Sequence, residues 1–262
     1  MKRDGPFLAG LWLLAGFYAL LIVAMLFATA GHTSWDAFAT AICSPQIRHS
    51  ILLSLLTTSI ATILAVWVAI PAGYLLARTH FPGKRVLDII FDIPIVLPPL
   101  VVGLALLILF QTALGQWFQE NILRVTYEVP AIILAQFTVA AAFAIRAMRV
   151  AFEQSDPRTE QVARVLGASR MQAFFKVTLP DHRQGILAAA TLAWARALGE
   201  FGPILVFAGA TRMKTEVLPT TVFLELSIGD LEAAVAVSLL LVLLACAVLL
   251  GSRALGLRGG IA

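Results

Sequence analysis

The chain has 262 residues, of which 60% are hydrophobic and 13% are charged, and its formal net charge is +4. Soluble domains are about 45–50% apolar and about 25% charged, so this composition excludes an ordinary soluble domain and indicates a protein solvated by a lipid bilayer. We attribute the positive balance to basic residues on the inner membrane face, and we expect no nucleic-acid partner.

Six apolar stretches have the length of a membrane span, since about 20 apolar residues cross the hydrocarbon core as a helix. They are residues 7–30, 51–76, 86–114, 129–151, 185–210 and 231–250. Backbone groups left unpaired in lipid are costly, which favours helices for all six. We therefore predict an all-α membrane protein with one transmembrane domain, residues 1–262, and six transmembrane helices.

The first stretch has two interpretations. Lys2 and Arg3 precede an apolar run, and "ATA" at residues 28–30 resembles the cleavage site of a secretory signal. The apolar run is longer than the 7–15 residues typical of a signal. We predict that the span is retained, with cleavage as the alternative.

The basic residues predict the orientation of the spans. Fourteen of the nineteen lysines and arginines lie on the side that holds both termini and residues 156–181, four lie on the other side, and Arg196 lies within a span. Cytoplasmic loops carry the excess of basic residues in membrane proteins. We therefore expect both termini, and residues 156–181, to be cytoplasmic.

The third stretch contains several residues that interrupt helices. Pro98 and Pro99 lie in its middle, with Pro94 before them and Gly103 after them. Proline lacks the N–H that an α-helix uses, so the stretch should be broken or kinked, with its freed carbonyls directed to protein or to a cavity.

Two aspartates lie near the cytoplasmic start of this stretch. Asp88 is expected to complement the positive helix N-terminus. Asp92 lies deeper and is a candidate partner for Arg146 or Arg149.

Residues 156–181 are polar and carry the signals of a short helix. Asp156 is a suitable N-cap and Pro157 suits the first helical position. Gly167 suits the position after a helix, where φ is positive.

A second short helix should follow at once. Ser169 and Gln172 match a capping box, and Pro180 is expected to end the helix. The apolar residues of both helices recur at helical spacing between arginines: Val162, Val165, Leu166, Met171, Phe174 and Phe175. Such a face can enter a groove on another protein or lie on the bilayer surface.

The fifth stretch holds two charges and a second break. Arg196 and Glu200 are four residues apart, on one helical face, and near the middle of the membrane. They form either a neutralising pair between helices or part of an anion path. Pro203 and the neighbouring glycines predict a kink beside them.

A small-residue face precedes this break. Ala189, Ala193 and Ala197 are spaced four residues apart, which predicts close packing against a neighbouring helix.

The segment "EQVARVLGASRMQAFFKVTLP", residues 160–180, resembles the cytoplasmic loop of ABC-importer permeases, which reads E-A-A, three residues, G, and a run ending in L-P. Gln161 and Val162 stand where the family has Glu and the first Ala, and Glu160 is displaced by one position. The resemblance implies that this loop is a coupling helix that docks into an ATPase subunit. The residues implied are Glu160, Gln161, Ala163, Gly167, Ala168, Ser169, Phe174, Phe175, Leu179 and Pro180.

Three further segments are similar to permeases that import molybdate, tungstate and sulfate: "FPGKRVLD", "IPIVLPPLVVGLALL" and "ARALGEFGPILVFAG". The resemblance implies a type I ABC-importer permease fold. The breaks and buried charges of the third and fifth spans supply our candidates for the translocation path or gate: Pro98, Pro99, Gly103, Arg196, Glu200, Phe201, Gly202 and Pro203.

The resemblance also implies partners and a location. It implies two copies of the chain in a bacterial or archaeal cytoplasmic membrane, two ATPase subunits, and a periplasmic or surface-tethered oxyanion-binding protein. ATP and Mg²⁺ would belong to the ATPase, because the nearest string here, Gly83-Lys84-Arg85, lacks the first glycine and the hydroxyl of a phosphate loop. We expect no catalytic residue, metal or cofactor in this chain.

Molybdate or tungstate is the expected substrate, with sulfate or thiosulfate as the alternative. An ion-coupled secondary transporter and a membrane-embedded enzyme are the other classes considered.

Overall fold

The computed structural model describes residues 5–258, which form helices and turns without strands. The helices are α1 Gly5–Ala30, α2 Trp35–Cys43, α3 Pro45–Arg78, α4 Lys84–Val96, α5 Pro99–Gln111, α6 Ala113–Asn121, α7 Val129–Gln154, α8 Arg158–Val165, α9 Arg170–Ala173, α10 Leu179–Asp181, α11 Arg183–Leu198, α12 Gly202–Phe207, α13 Leu218–Ile228 and α14 Leu231–Arg258. A π-helical segment, Phe174–Thr178, joins α9 to α10. The prediction of an all-α membrane protein is confirmed.

Four of the helices, α1, α3, α7 and α14, are long and apolar enough to cross a bilayer. They match four of the six predicted stretches. The apolar window of α7 is 61% buried within the chain, whereas that of α1 has no buried residue. The chain is therefore built around α7, with α1 at its periphery.

The third predicted span is broken at the double proline. Helices α4 and α5 are bent by 113° and together are long and apolar enough to form one span. Pro98 is the N-cap of α5 and Pro99 its first residue. The predicted interruption is confirmed, and its cause is two adjacent residues that cannot donate a helical hydrogen bond.

The fifth predicted span, residues 185–210, is not one continuous helix. Helix α11 ends at Leu198 and α12 begins at Gly202. The predicted kink is confirmed as a full break, because Pro203 cannot donate to the turn before it.

Three shorter helices, α2, α6 and α13, were not predicted. They contain 9 to 11 residues. Each is too short to stand out as an apolar stretch of about 20 residues, and each packs beside a longer helix or at the end of one.

The inner core, on α3, α7 and α11, is rich in alanine. The predicted face of Ala189, Ala193 and Ala197 is buried there, so that prediction is confirmed. A Cβ added at Gly73 would lie 2.8 Å from the Cβ of Met148, so α3 and α7 touch almost backbone to backbone. Small residues permit such contact, which supplies the van der Waals attraction that associates helices in lipid.

A line of hydroxyl side chains on α3 joins this helix to its neighbours, and the sequence analysis did not identify it. Ser54 Oγ accepts a hydrogen bond from the backbone N–H of Leu218 at 2.8 Å, and Thr221 donates to Ser50 Oγ at 3.0 Å. The amide of Gln136 donates to Thr58 Oγ1 at 3.2 Å. These bonds hold α13 and α7 against α3 where apolar contact has little driving force.

The two broken spans meet at their breaks. A Cβ added at Gly103 of α5 would lie 2.7 Å from the Cα of Pro203, and one added at Gly202 would lie 2.9 Å from the Cβ of Pro99. The glycine of each helix thus lies against the proline of the other. Four candidate path residues therefore form one close helix crossing.

We predict that Gly103→Ala destabilises the protein by about 1–3 kcal/mol, the cost typical of overpacking, because the added carbon meets backbone atoms. Thermal unfolding of the purified protein in detergent measures this as a lowered midpoint. Gly16→Ala in α1 is the matched control, since a Cβ there meets nothing within 4 Å. Equal midpoints for the two variants would contradict the crossing.

Candidate functional site

Helix α8 is the first arm of the polar loop formed by residues 156–181. It begins at Arg158, one residue later than predicted, and Pro157 instead of Asp156 is its N-cap. Asp156 Oδ1 accepts a hydrogen bond from the backbone N–H of Arg158 at 2.9 Å. Gly167 has a φ of 97°, which is the left-handed conformation that glycine adopts freely. The predicted helix and glycine corner are confirmed.

The second arm begins with the predicted capping box. The N–H of Gln172 donates to Ser169 Oγ at 3.2 Å, and the N–H of Ser169 donates to Gln172 Oε1 at 2.9 Å. The prediction that Pro180 ends this helix is wrong. Pro180 lies inside α10, and the chain stays helical into α11, because the wider π turn before it accommodates a residue without an N–H.

Both arms present large apolar side chains to solvent. Val165 is 87% exposed and Leu166 is 81% exposed, beside the exposed Val162, Met171 and Phe175. We call these five residues the loop patch. A contiguous apolar surface on a segment this polar is typical of a site that contacts another protein.

Phe174 lies on the opposite side of the loop. Its ring centroid is 4.8 Å from that of Tyr74, and it packs against the inner core. The other residues implied by the family resemblance divide between exposed positions, Gln161, Gly167, Ser169 and Pro180, and half-buried positions, Glu160, Ala163, Ala168 and Leu179.

The loop is tied to the spans by a network that sequence reasoning missed. Arg78 at the end of α3 donates from Nη2 to the carbonyl and hydroxyl oxygens of Ser155, at 2.8 and 2.6 Å. The buried His182 places Nε2 2.6 Å from the same hydroxyl. Three span ends therefore meet at Ser155, a junction that no local motif signals.

The predicted pair of charges in the fifth span is present. Arg196 Nη1 lies 2.6 Å from Glu200 Oε2. The Glu200 side chain is 1% exposed, the Arg196 side chain is 29% exposed, and the guanidinium lies 5.7 Å from the ring centroid of Phe143. The carboxylate is thus fixed inside the protein, and the arginine keeps one accessible side.

The remaining path candidates lie around the crossing of α5 and α12. Gly103, Gly202 and Pro203 are buried, whereas Pro98 and Pro99 are exposed. The half-buried ring of Phe201 lies 5.4 Å from that of Phe223. The structure therefore brings Pro99, Gly103, Gly202 and Pro203 together at the crossing, which begins two residues after Glu200 along the chain.

Helix α4 is joined to α7 by ion pairs. Asp92 pairs with Arg146, one of its two predicted partners. The expectation that Asp88 complements the helix N-terminus is wrong: Asp88 lies beyond the first turn of α4, where that effect has fallen off, and it pairs with Arg149 at 2.5 Å. Arg149 also contacts Glu153 at 2.8 Å, so ion pairs join the first half of the third span to α7.

The loop before α13 contains charged residues that the sequence analysis did not single out. Arg212 pairs with Glu225 at 2.9 Å. Glu216 is fully buried, and this burial raises the pKa of its carboxyl. Within residues 5–258, no group of three or more His, Cys, Asp or Glu could hold a metal ion.

Comparison with known proteins gives several relatives of similar length. The chain is 35% identical to the molybdenum transport system permease protein ModB of Mycobacterium tuberculosis over 235 residues, covering 88% of this chain and 89% of ModB. It is 33% identical to the sulfate transport system permease protein CysT of Escherichia coli, covering 84% and 80%. It is 36% identical to the molybdate/tungstate transport system permease protein WtpB of Pyrococcus furiosus, covering 66% and 65%.

The fold matches a solved transporter. A bacterial alginate ABC transporter, crystallised in complex with an alginate-bound periplasmic protein, superposes with a TM-score of 0.77 at 18% identity, over 98% of this chain and 96% of the other. The family model for the inner membrane component of binding-protein-dependent transport systems matches residues 69–256. The chain therefore belongs to this family and is a permease subunit of an ABC importer.

Proposed function

We propose that this chain is the membrane-spanning subunit of an ATP-driven importer of molybdate or tungstate. Two copies form the pore, two ATPase subunits bind the cytoplasmic loops, and a periplasmic or surface-tethered binding protein delivers the anion. ATP and Mg²⁺ are held by the ATPase. Both termini are cytoplasmic, and the first span is retained.

The loop patch is the observation that carries the proposal. Its two short helices are capped by their own side chains, so the fold of the loop is defined without a partner. Its exposed leucine, valine and phenylalanine side chains are nevertheless unfavourable in water. A groove on the ATPase that covers these side chains would remove the free-energy cost of their exposure to water and would bind the loop.

The crossing of α5 and α12 is the proposed path region. The breaks direct helix ends toward it, and the partly exposed Arg196 supplies a positive charge in the last turn of α11, just before the break that leads to α12. A guanidinium suits a tetrahedral oxyanion because its planar donors can bond two oxygens at once.

The relatives support an oxyanion as substrate. ModB and WtpB are molybdenum or molybdate/tungstate permeases, and CysT is a sulfate permease. The similar identity to CysT makes sulfate or thiosulfate the second candidate. These anions share tetrahedral geometry and oxygen acceptors, so the same arginine can serve any of them.

Changing the loop patch should release the ATPase. We expect Leu166→Asp to weaken binding about thirtyfold, equivalent to about 2 kcal/mol for a hot-spot residue, as measured by co-purification and by titration in detergent. Gly167→Pro should act similarly, because proline cannot adopt a φ of 97°. Leu123→Asp, at an exposed residue outside the loop, is the control; weakening by all three variants to the same extent would contradict the patch.

The charged pair can be tested by neutralising it. Arg196→Gln alone leaves Glu200 buried without a partner, a change that costs about 3–5 kcal/mol in comparable cases. The double variant Arg196→Gln/Glu200→Gln removes both charges, so we expect it to regain most of the stability while uptake of labelled molybdate stays reduced about tenfold or more. Wild-type uptake in the double variant would assign the pair to packing instead of the path.

Uptake assays separate the transport classes and the substrates. In vesicles holding the permease, its ATPase and its binding protein, molybdate uptake should require ATP, and tungstate should compete more strongly than sulfate. Uptake that survives ATP removal but stops when the ion gradient collapses would identify a secondary transporter. Stronger competition by sulfate would make sulfate the substrate.

A further inference from the structure

Glu160 is a residue of the cytoplasmic loop whose side chain points inward. Tyr74 Oη on α3 donates to Glu160 Oε1 at 2.6 Å, and Thr178 Oγ1 donates to Glu160 Oε2 at 3.1 Å. Tyr74 belongs to a membrane span, whereas Glu160 and Thr178 belong to the two arms of the loop. One carboxylate therefore joins three separate segments.

The Tyr74 ring is held in place by its surroundings. Its centroid lies 5.7 Å from that of Phe152 and 4.8 Å from that of Phe174, both in edge-on contacts. The guanidinium of Arg170 lies 5.9 Å from the ring centroid. The hydroxyl that Glu160 meets is thus presented by a fixed side chain.

The first arm packs beside the second arm, but it is not anchored in the core of the spans. Helix α8 has no buried residue, and it lies between two turns, at Ser155 and at Gly167. Glu160 is half-buried, and Thr178 is buried within the π-helical segment. Hydrogen bonds to a charged acceptor are about twice as strong as those between neutral groups. The two bonds of Glu160 are therefore well suited to fix the orientation of α8.

We propose that Glu160 is a positioning residue that braces the loop patch onto span α3. This inference rests on the proposed function, because the brace matters when an ATPase moves the patch. With the brace, α8 moves together with α3 and the second arm. Without the brace, α8 can rotate about its two ends, and a movement of the loop patch no longer moves α3.

Tyr74→Phe tests the brace, since it removes the hydroxyl and keeps the ring. We expect ATPase binding to change less than about twofold, because the loop patch is intact, and molybdate uptake per ATP hydrolysed to fall about tenfold. Amide hydrogen exchange of α8 should become faster. Tyr18→Phe, the same change on the exposed face of α1, is the control and should alter none of these quantities.

Two further variants distinguish a loss of coupling from a folding defect. Thr178→Val removes the second hydroxyl with little change in shape, and Glu160→Gln removes the charge. Each should lower the uptake per ATP, and adding Tyr74→Phe to Glu160→Gln should lower it less than the two separate effects predict. The proposal would be overturned if Tyr74→Phe left the molybdate uptake per ATP hydrolysed unchanged. It would also be overturned if Tyr74→Phe and Thr178→Val lowered the yield of purified protein without faster amide hydrogen exchange in α8.

Failure of the proposed function would look different. In that case the wild-type chain would not bind the ATPase, and the coupling role of Glu160 would fall with it. The exchange rates of α8 in the wild type and in Tyr74→Phe would still show whether the carboxylate holds the loop to α3.

Discussion

A peptide group that leaves its helix inside a bilayer must find a partner within the protein, because hydrocarbon offers none. At the end of α11 the carbonyl of Ala197 accepts a hydrogen bond from the side chain of Gln136 at 3.1 Å, as this constraint requires. The break before α5 and the break before α12 meet, and Gly103 and Gly202 let each helix lie against the proline of the other. Alanines on α11 and hydroxyls on α3 provide equally close contacts elsewhere. The bundle is thus organised around the places where its helices are interrupted.

The polar loop formed by residues 156–181 differs from the spans in this respect. Outside the bilayer, backbone groups can form hydrogen bonds with water. In this loop, side-chain oxygens of Asp156, Ser169 and Gln172 also accept hydrogen bonds from backbone N–H groups. The unfavourable feature there is the apolar loop patch. A membrane span satisfies its polar groups inside the chain, whereas this loop leaves large apolar side chains exposed. The carboxylate of Glu160 connects the two regions.

Local chemistry allowed much of this structure to be predicted. The caps of α8 and α9, the glycine corner and both broken spans depend on single residues whose preferences are strong: proline lacks a donor, and glycine accepts a positive φ. Tertiary context decided the rest. Pro180 was expected to end a helix, but the wider π turn before it accommodates a residue that has no backbone N–H. Phe174 has the spacing of the loop patch but turns toward Tyr74, and nothing in the spacing distinguishes it from Phe175.

The two halves of the third span differ in how firmly they are held. Helix α5 packs on α12 in a contact too close for one added carbon, and its residues Val102 and Gly103 are buried. Helix α4 has no buried residue and is joined to α7 through ion pairs whose side chains are about a third exposed or more. Pairs of this kind contribute about 0–1 kcal/mol each. The double proline therefore separates a half that packs closely on α12 from a half that has no buried residue and is joined to α7 by partly exposed ion pairs.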